Sequence, residues 1–226
     1  MSIKILGISG SPRKNGSSEI MLEEALKGAE SVQGVEVERY SFAGKDIRPC
    51  NALCVKYCRE TGKCAIKDDF EELRHTYLAA DGVIWSAPVY HAGPPAQVKC
   101  ALDRLANVIW MYYGGKMPRL NKACAALVQG SSRWGGQELA IQFFINSFLL
   151  MKCLPVSGDT PKSYFGVAGH APTWDLGSIN EDKSALEAAA NIGIRVAEVA
   201  CIYNAGKYAL KDVLPTEYFP EMLMKE

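Results

Sequence analysis

Residues 3–31 read IKILGISGSPRKNGSSEIMLEEALKGAES, and the order of features within them decides the fold. Ile3–Ile8 is a short apolar run of the kind a buried strand requires. Ser17–Ser31 brings Ile20, Met21, Leu22, Ala25 and Leu26 to one side of a helix. The loop between them, Ser9–Ser18, is polar, small and rich in hydroxyls. A strand, a loop and an amphipathic helix in that order begin a βαβ unit.

The same alternation continues downstream. Val35–Tyr40 alternates apolar and charged residues, as a strand near a sheet edge does. Val83–Ala87, Ala123–Val128 and Lys152–Val156 read as further strands. Helices are predicted over Asp68–Ala80, Pro95–Met111, Gly136–Met151 and Asp182–Asn204. Asp69 and Glu138 suit helix N-termini. The pattern predicts an α/β fold, a flavodoxin-like doubly wound five-stranded parallel sheet covered on both faces. It reads as one domain over 1–226, with a cysteine-rich insert at 48–66 after the second strand and a C-terminal extension at 206–226. Gly158–Asn180 fits no regular element, and a loop of that length in a compact domain is usually functional or mobile.

Composition removes several function classes. The 226 residues are 48% hydrophobic and 22% charged, and 25 Lys plus Arg balance 25 Asp plus Glu. No net field attracts nucleic acid or anionic lipid. No run of eighteen apolar residues suggests a membrane span. The N-terminus enters a strand without a signal-like apolar region, which predicts a cytoplasmic location and reduced thiols.

In an open α/β sheet, ligands bind beyond the carboxyl ends of the strands. The loop after the first strand offers Ser9, Ser11, Ser17, Ser18, the Gly16 backbone and the Arg13 guanidinium to a phosphate. It has neither the G-x-G-x-x-G run of dinucleotide sites nor the G-x-x-x-x-G-K-[ST] run of triphosphatases, which favours a mononucleotide such as FMN. The alternative is a plain polar turn with Ser17 as helix N-cap. Two other loops reach the same edge. Pro88, Val89, Tyr90, His91 and Gly93 follow the third strand, and Gly130, Ser131, Arg133 and Gly136 follow the fourth. Their small residues let backbone amides approach a flat ring. Tyr90 is placed to stack on such a ring or support its loop. His91 is a candidate proton relay or a strand-end residue, and Arg133 a partner for negative charge on the ring or a surface residue.

Half of the eight cysteines fall in PCNALCVKYCRETGKC, residues 49–64. The spacing is Cys50-x3-Cys54-x3-Cys58-x5-Cys64. The first three share a face on a helical turn, and Gly62 lets the chain double back to deliver Cys64. Reduced thiols leave metal or cluster ligation as the leading reading. Four thiolates from one compact segment suit a 4Fe–4S cubane, whereas zinc usually takes two close pairs separated by a longer spacer. Lys56, Arg59 and Lys63 interleave the thiols. Cys100, Cys124, Cys153 and Cys201 lie in apolar surroundings and read as core residues.

GISGSPRKNGSSE, TGKCAIKDDF, ADGVIWSAPVYHAGPPAQVKCALDR and GSSRWGGQE occur here in that order. Together they resemble the iron–sulfur flavoproteins of the NADPH-dependent FMN reductase group, from about Ile3 to about Asn204. The resemblance implies FMN, a 4Fe–4S cluster on the cysteine insert, and electron flow from a ferredoxin-like donor through the cluster to the flavin. It also implies a homodimer or homotetramer, with the cluster of one subunit near the flavin of a neighbour. By position it puts phosphate contacts on Ser9, Ser11, Arg13, Ser17 and Ser18. Ring contacts fall on Pro88 to His91 and around Ser131 to Gly136. The family's compact motif spaces its first three cysteines two residues apart, whereas here the gaps are three.

The expected function is therefore an FMN- and iron–sulfur-dependent oxidoreductase. It would pass electrons from a ferredoxin-like donor or NAD(P)H to a small acceptor such as a quinone, oxygen or peroxide. Two alternatives stay open: an NAD(P)H-dependent FMN or quinone reductase without a cluster, and a non-catalytic FMN-binding redox sensor.

Overall fold

The computed structural model describes residues 2–159, 161–220 and 222. Strands β1 (Ile3–Ser9), β2 (Val35–Ser41), β3 (Gly82–Pro88), β4 (Ala123–Gly130), β5 (Leu154–Pro155) and β6 (Val167–His170) form one parallel sheet. Helices α1 (Ser17–Glu30), α2 (Val55–Thr61), α3 (Phe70–Ala79), α4 (Ala96–Tyr112), α5 (Gln137–Leu150) and α6 (Lys183–Ala209) connect and cover it. The strand order is β2-β1-β3-β4-β5, which is the flavodoxin-like arrangement.

The central strands are mostly apolar because helices lie on both faces. On one face Ile5, Ile84 and Leu127 meet Met21 and Leu26 of α1 and Ile192 and Val196 of α6. On the other, Leu6, Trp85 and Val128 meet Leu73 and Tyr77 of α3, Leu105 of α4 and Phe144 of α5. Each such side chain contributes roughly 1.5–3 kcal/mol by leaving water, and all seven residues of β3 are buried. The edge strand β2 is less covered: Val35 joins one core face and Tyr40 the other, while Glu36, Glu38 and Arg39 are exposed.

The outer edge differs from the sequence reading. In place of one strand over Lys152–Val156, β5 is two residues long and pairs only with Ala123 and Cys124. Pro155 carries no N–H to continue the ladder, and Lys152 has φ 50°, which turns the chain just before the strand. The rest of the β4 edge is taken by β6, from within the expected loop Gly158–Asn180, which pairs Leu127–Gly130 with Val167–His170. That stretch is short, and Gly169 masks its strand character. Helix α6 runs five residues past the expected Asn204. Asp182 caps it, with Oδ1 accepting from the Ala185 N–H at 3.1 Å, while Oδ2 accepts from the His170 N–H at 2.9 Å. In the extension, Met222 packs on the main core and its N–H donates to the Tyr113 hydroxyl at 3.1 Å. Residue 221 and residues 223–226 of that extension lie outside the described residues.

Among the described residues, no helix is long and apolar enough to cross a membrane.

Candidate functional site

β1 and β3 are neighbours whose following helices leave to opposite faces, so a crevice opens where their carboxyl ends diverge. A cavity of about 100 Å3, open to solvent, lies there. Ser11, Arg13, Gly16 and Ser17 line one side. Pro88, Val89 and Tyr90 line a second, and Gln129, Gly130 and Ser131 a third. The fourth wall is Ala171, Thr173, Trp174 and Asp175, which sequence reasoning did not include. They follow β6, whose pairing with β4 carries the Gly158–Asn180 stretch to the β4 tip. The Ala171 N–H donates to the Gly130 carbonyl at 2.9 Å, which fixes that wall.

The loop after β1 is built for an anion. Gly16, not Ser17, occupies the N-cap of α1, and no side chain caps the helix. Its first-turn amides therefore meet the pocket with the positive end of the helix dipole behind them. Ser11 Oγ accepts from the Arg13 N–H at 3.1 Å and shapes the turn. Asn15, at φ 55°, donates its N–H to Glu19 Oε2 at 2.5 Å and closes it. Arg13 Nη2 donates to the Trp174 carbonyl at 2.8 Å, so the guanidinium bridges the serine loop and the fourth wall. Ser9 lies beneath, at the tip of β1, and its buried Oγ has no hydrogen-bond partner among the described residues. Ser18 is buried behind the loop, where its carbonyl accepts from Ser86 Oγ at 2.7 Å. Uncapped amides, a cation and the Ser11 and Ser17 hydroxyls around one cavity fit a phosphate monoester. Asp175 adds an acceptor suited to the hydroxyls of a sugar-like chain.

The loop after β3 is a tight reversal. The Tyr90 N–H donates to Gly93 O at 2.7 Å and the Gly93 N–H returns to Tyr90 O at 3.1 Å. His91 and Ala92 between them hold φ 51° and 61°, a two-residue turn normally given to Asn and Gly. Strain of this kind concentrates at ligand sites. Gly136, at φ 97°, sits behind the turn, where a Cβ would stand 3.0 Å from the Ala92 backbone. Gly93 and Gly136 thus support the wall rather than form it. His91 and Arg133 are exposed and are not among the lining residues.

The cysteine segment lies between β2 and α3, along the second half of α4. Cys54 is the N-cap of α2, and Gly62, at φ 63°, ends that helix and turns the chain back. Cys58 and Cys64 are buried, Cys50 and Cys54 half-buried, and none is in a disulfide. Burial, then the neighbouring Cys54, Cys64 and Cys50 thiols, push the Cys58 thiol up to about 11. Asn107 Nδ2 donates to Cys50 Sγ at 3.8 Å and Arg104 Nη2 to Cys64 Sγ at 3.2 Å. Among the described residues, no three His, Cys, Asp or Glu side chains are drawn together as a cage for a single metal ion. A cluster places one thiolate on each iron, so its sulfurs stand farther apart than the ~3.8 Å edge of a tetrahedron with ~2.3 Å metal–sulfur bonds. The four thiols are unbridged, Cys54, Cys64 and Cys50 lie near enough to Cys58 to raise its pKa, and N–H donors stand beside Cys50 and Cys64. Cys124 and Cys153 are core residues, and Cys100 and Cys201 are half-buried.

A parallel sheet of this order, with an anion-ready helix N-terminus at its switch point, defines a mononucleotide-binding protein of the flavodoxin-like class. The chain belongs to the NADPH-dependent FMN reductase family, whose profile matches residues 3–162. It is 38% identical over 199 residues to an iron-sulfur flavoprotein of Methanocaldococcus jannaschii, covering 87% of this chain and 97% of that one. An iron-sulfur flavoprotein of Archaeoglobus fulgidus is 35% identical over 198 residues, 86% of this chain and 96% of its own. The solved structure of RosB shares the fold at a TM-score of 0.66 and 14% identity, over 95% of this chain and 88% of that one. The protein is a flavin-dependent oxidoreductase.

Proposed function

We propose that this protein binds FMN in the pocket at the strand tips and a 4Fe–4S cluster on Cys50, Cys54, Cys58 and Cys64. In this reading it carries electrons from a ferredoxin-like donor, or from NAD(P)H, to a small acceptor such as a quinone, oxygen or peroxide. The observation that carries it is the four cysteines gathered, unbridged, in one segment of a chain whose relatives bear the name iron-sulfur flavoprotein. FMN exchanges electrons singly or in pairs and a cluster one at a time, so together they join a one-electron carrier to a two-electron acceptor.

The chain's own residues divide the work. Ser11, Arg13, Ser17 and the first-turn amides of α1 hold the phosphate, with Ser9 and Ser18 beneath. Pro88, Val89 and Tyr90 face one side of the ring and Gly130 and Ser131 its edge, while the strained His91–Ala92 turn and Gly136 keep those walls rigid. Trp174 and Asp175 close the pocket toward solvent. Arg104 and Asn107, which touch the cysteines, lie eight and eleven residues into α4, roughly 12–16 Å along the helix from its pocket end at 1.5 Å per residue. That separation within one chain favours a homodimer or homotetramer in which the cluster of one subunit serves the flavin of another. Free thiols favour a reducing, cytoplasmic setting.

Iron, sulfide, zinc and flavin content of protein prepared without air tests the assignment. Four irons and four sulfides per subunit with FMN are expected. Zinc, or no metal, with FMN bound would replace it with a cluster-free NAD(P)H-dependent reductase. Both cofactors without turnover by reduced ferredoxin or NADPH would leave a redox sensor.

A further inference from the structure

Arg104 lies in the middle of α4 with 1% of its side chain exposed, and Asp68 beside it has 0%. A charge so deeply buried persists only where partners replace its hydration. Arg104 Nη1 donates to Asp68 Oδ2 at 2.6 Å and to the Arg48 carbonyl at 3.0 Å. Nη2 donates to Asp68 Oδ1 at 2.9 Å and to Cys64 Sγ at 3.2 Å. The guanidinium carbon stands 4.1 Å from the Phe70 ring centroid. The Asp68 carboxylate also accepts from the Arg48 N–H at 2.9 Å and the Phe70 N–H at 3.2 Å. Arg48 precedes Cys50 and Asp68 follows Cys64, so one side chain clips both ends of the cysteine segment to α4.

Stability alone explains this poorly. A buried ion pair replaced by apolar residues of similar volume is often neutral or stabilising. What such a replacement would remove is the N–H directed at sulfur. Asp68 neutralises the guanidinium, and its planar fork fixes where Nη2 points. Lysine, a rotating point charge, cannot reach the carboxylate and the sulfur in the same way.

We propose that Arg104 is a positioning residue that sets the reduction potential of the cluster through Cys64. Resting on the cluster reading above, the proposal adds that the Arg104 Nη2–H holds Cys64 Sγ in place and stabilises the negative charge that sulfur gains on reduction. Hydrogen bonds to cluster sulfurs tune the potential in this way, and donors to them favour the reduced state. One electron enters from the one-electron carrier, and no proton moves, because a guanidinium stays charged across the ordinary pH range.

The test compares wild-type protein with Arg104→Lys and with the paired Arg104→Met, Asp68→Leu variant, which leaves no buried charge unpartnered. Iron and sulfide content is measured first, then the cluster midpoint by a redox titration followed by electron paramagnetic resonance. The FMN midpoint is read from flavin absorbance in the same titration. In the paired variant the equilibrium constant for cluster reduction is expected to fall about tenfold, a midpoint about 59 mV more negative for one electron, with FMN unmoved. Arg104→Lys should shift in the same direction by less. A loaded paired variant whose constant stays within twofold of wild type overturns the proposal. Loss of iron from both variants with FMN retained also overturns it, leaving Arg104 as a structural clip. Wild-type protein without iron or sulfide overturns the cluster reading itself, an outcome distinct from either.

Discussion

Gly193 and Gly28 are where α6 and α1 press together, and replacing Gly193 by alanine pits two opposing effects against each other. Alanine in a helix interior is favoured over glycine by about 1 kcal/mol. A Cβ at Gly193, however, would stand 1.9 Å from the Ala25 carbonyl oxygen and 2.7 Å from its carbon. Gly28 reciprocates, its Cβ falling 2.1 Å from the Ala190 oxygen. These are backbone atoms, so no side chain can swing aside. Restoring an ordinary carbon–oxygen contact of about 3.3 Å requires the helices to part by more than an ångström. A gap of about 0.5–1 Å already forfeits a quarter to a half of the dispersion well for the atoms lining it, and this one is wider. Overpacking of this kind costs about 1–3 kcal/mol, occasionally more, and here it belongs at the upper end. Packing wins over propensity, and Gly193→Ala is expected to destabilise by roughly 2 kcal/mol, which is about 4–8 °C in Tm for a chain of this size. Gly206 on the same helix has nothing within 4 Å of its Cβ position, so Gly206→Ala should hold or slightly raise Tm. Thermal unfolding of the apo proteins by far-ultraviolet circular dichroism compares the three. A Gly193→Ala protein as stable as the Gly206→Ala control would refute the close helix crossing.

Arg13→Ala removes a guanidinium whose charge-assisted bond to a phosphate is worth about 1.5–3 kcal/mol, so FMN should bind roughly 10- to 150-fold more weakly. Titration of apo-protein by flavin fluorescence quenching measures this, and an unchanged Kd would move the phosphate elsewhere. Burial pushes the Lys122 ammonium down from 10.5 to about 8, against the smaller opposing pull of Cys153 and Asp81. Between those pH values the folded chain binds fewer protons than the unfolded chain, so this group makes stability rise with pH across the window, by on the order of 3 kcal/mol. Lys122 Nζ also donates to the carbonyls of Leu78, at 3.0 Å, and Ala80. In Lys122→Met those two acceptors lose their donor and the upward slope should vanish. Urea unfolding near pH 8 and pH 10 tests it, and a slope identical to wild type would show that Lys122 does not titrate there.

The strand, loop and helix of residues 3–31 were legible without coordinates because their information is local. Apolar periodicity selects the element, and small polar residues between elements mark the loop. The same holds for β3, β4 and the four cysteines, whose clustering in sequence brings them together in space whatever the fold. Tertiary contact decided the rest. β6 is too short and too glycine-rich to announce itself, and it exists because β4 offers unpaired groups beyond the two residues that β5 covers. Through it Thr173, Trp174 and Asp175 reach a pocket more than forty residues away from their nearest partner in sequence, Ser131. Asp68 reads locally as a helix N-terminal acid, and its Phe70 contact agrees. Its pairing with Arg104, thirty-six residues on, is invisible to periodicity, because a buried charge obeys no apolar pattern and is explained only by the partners the fold delivers.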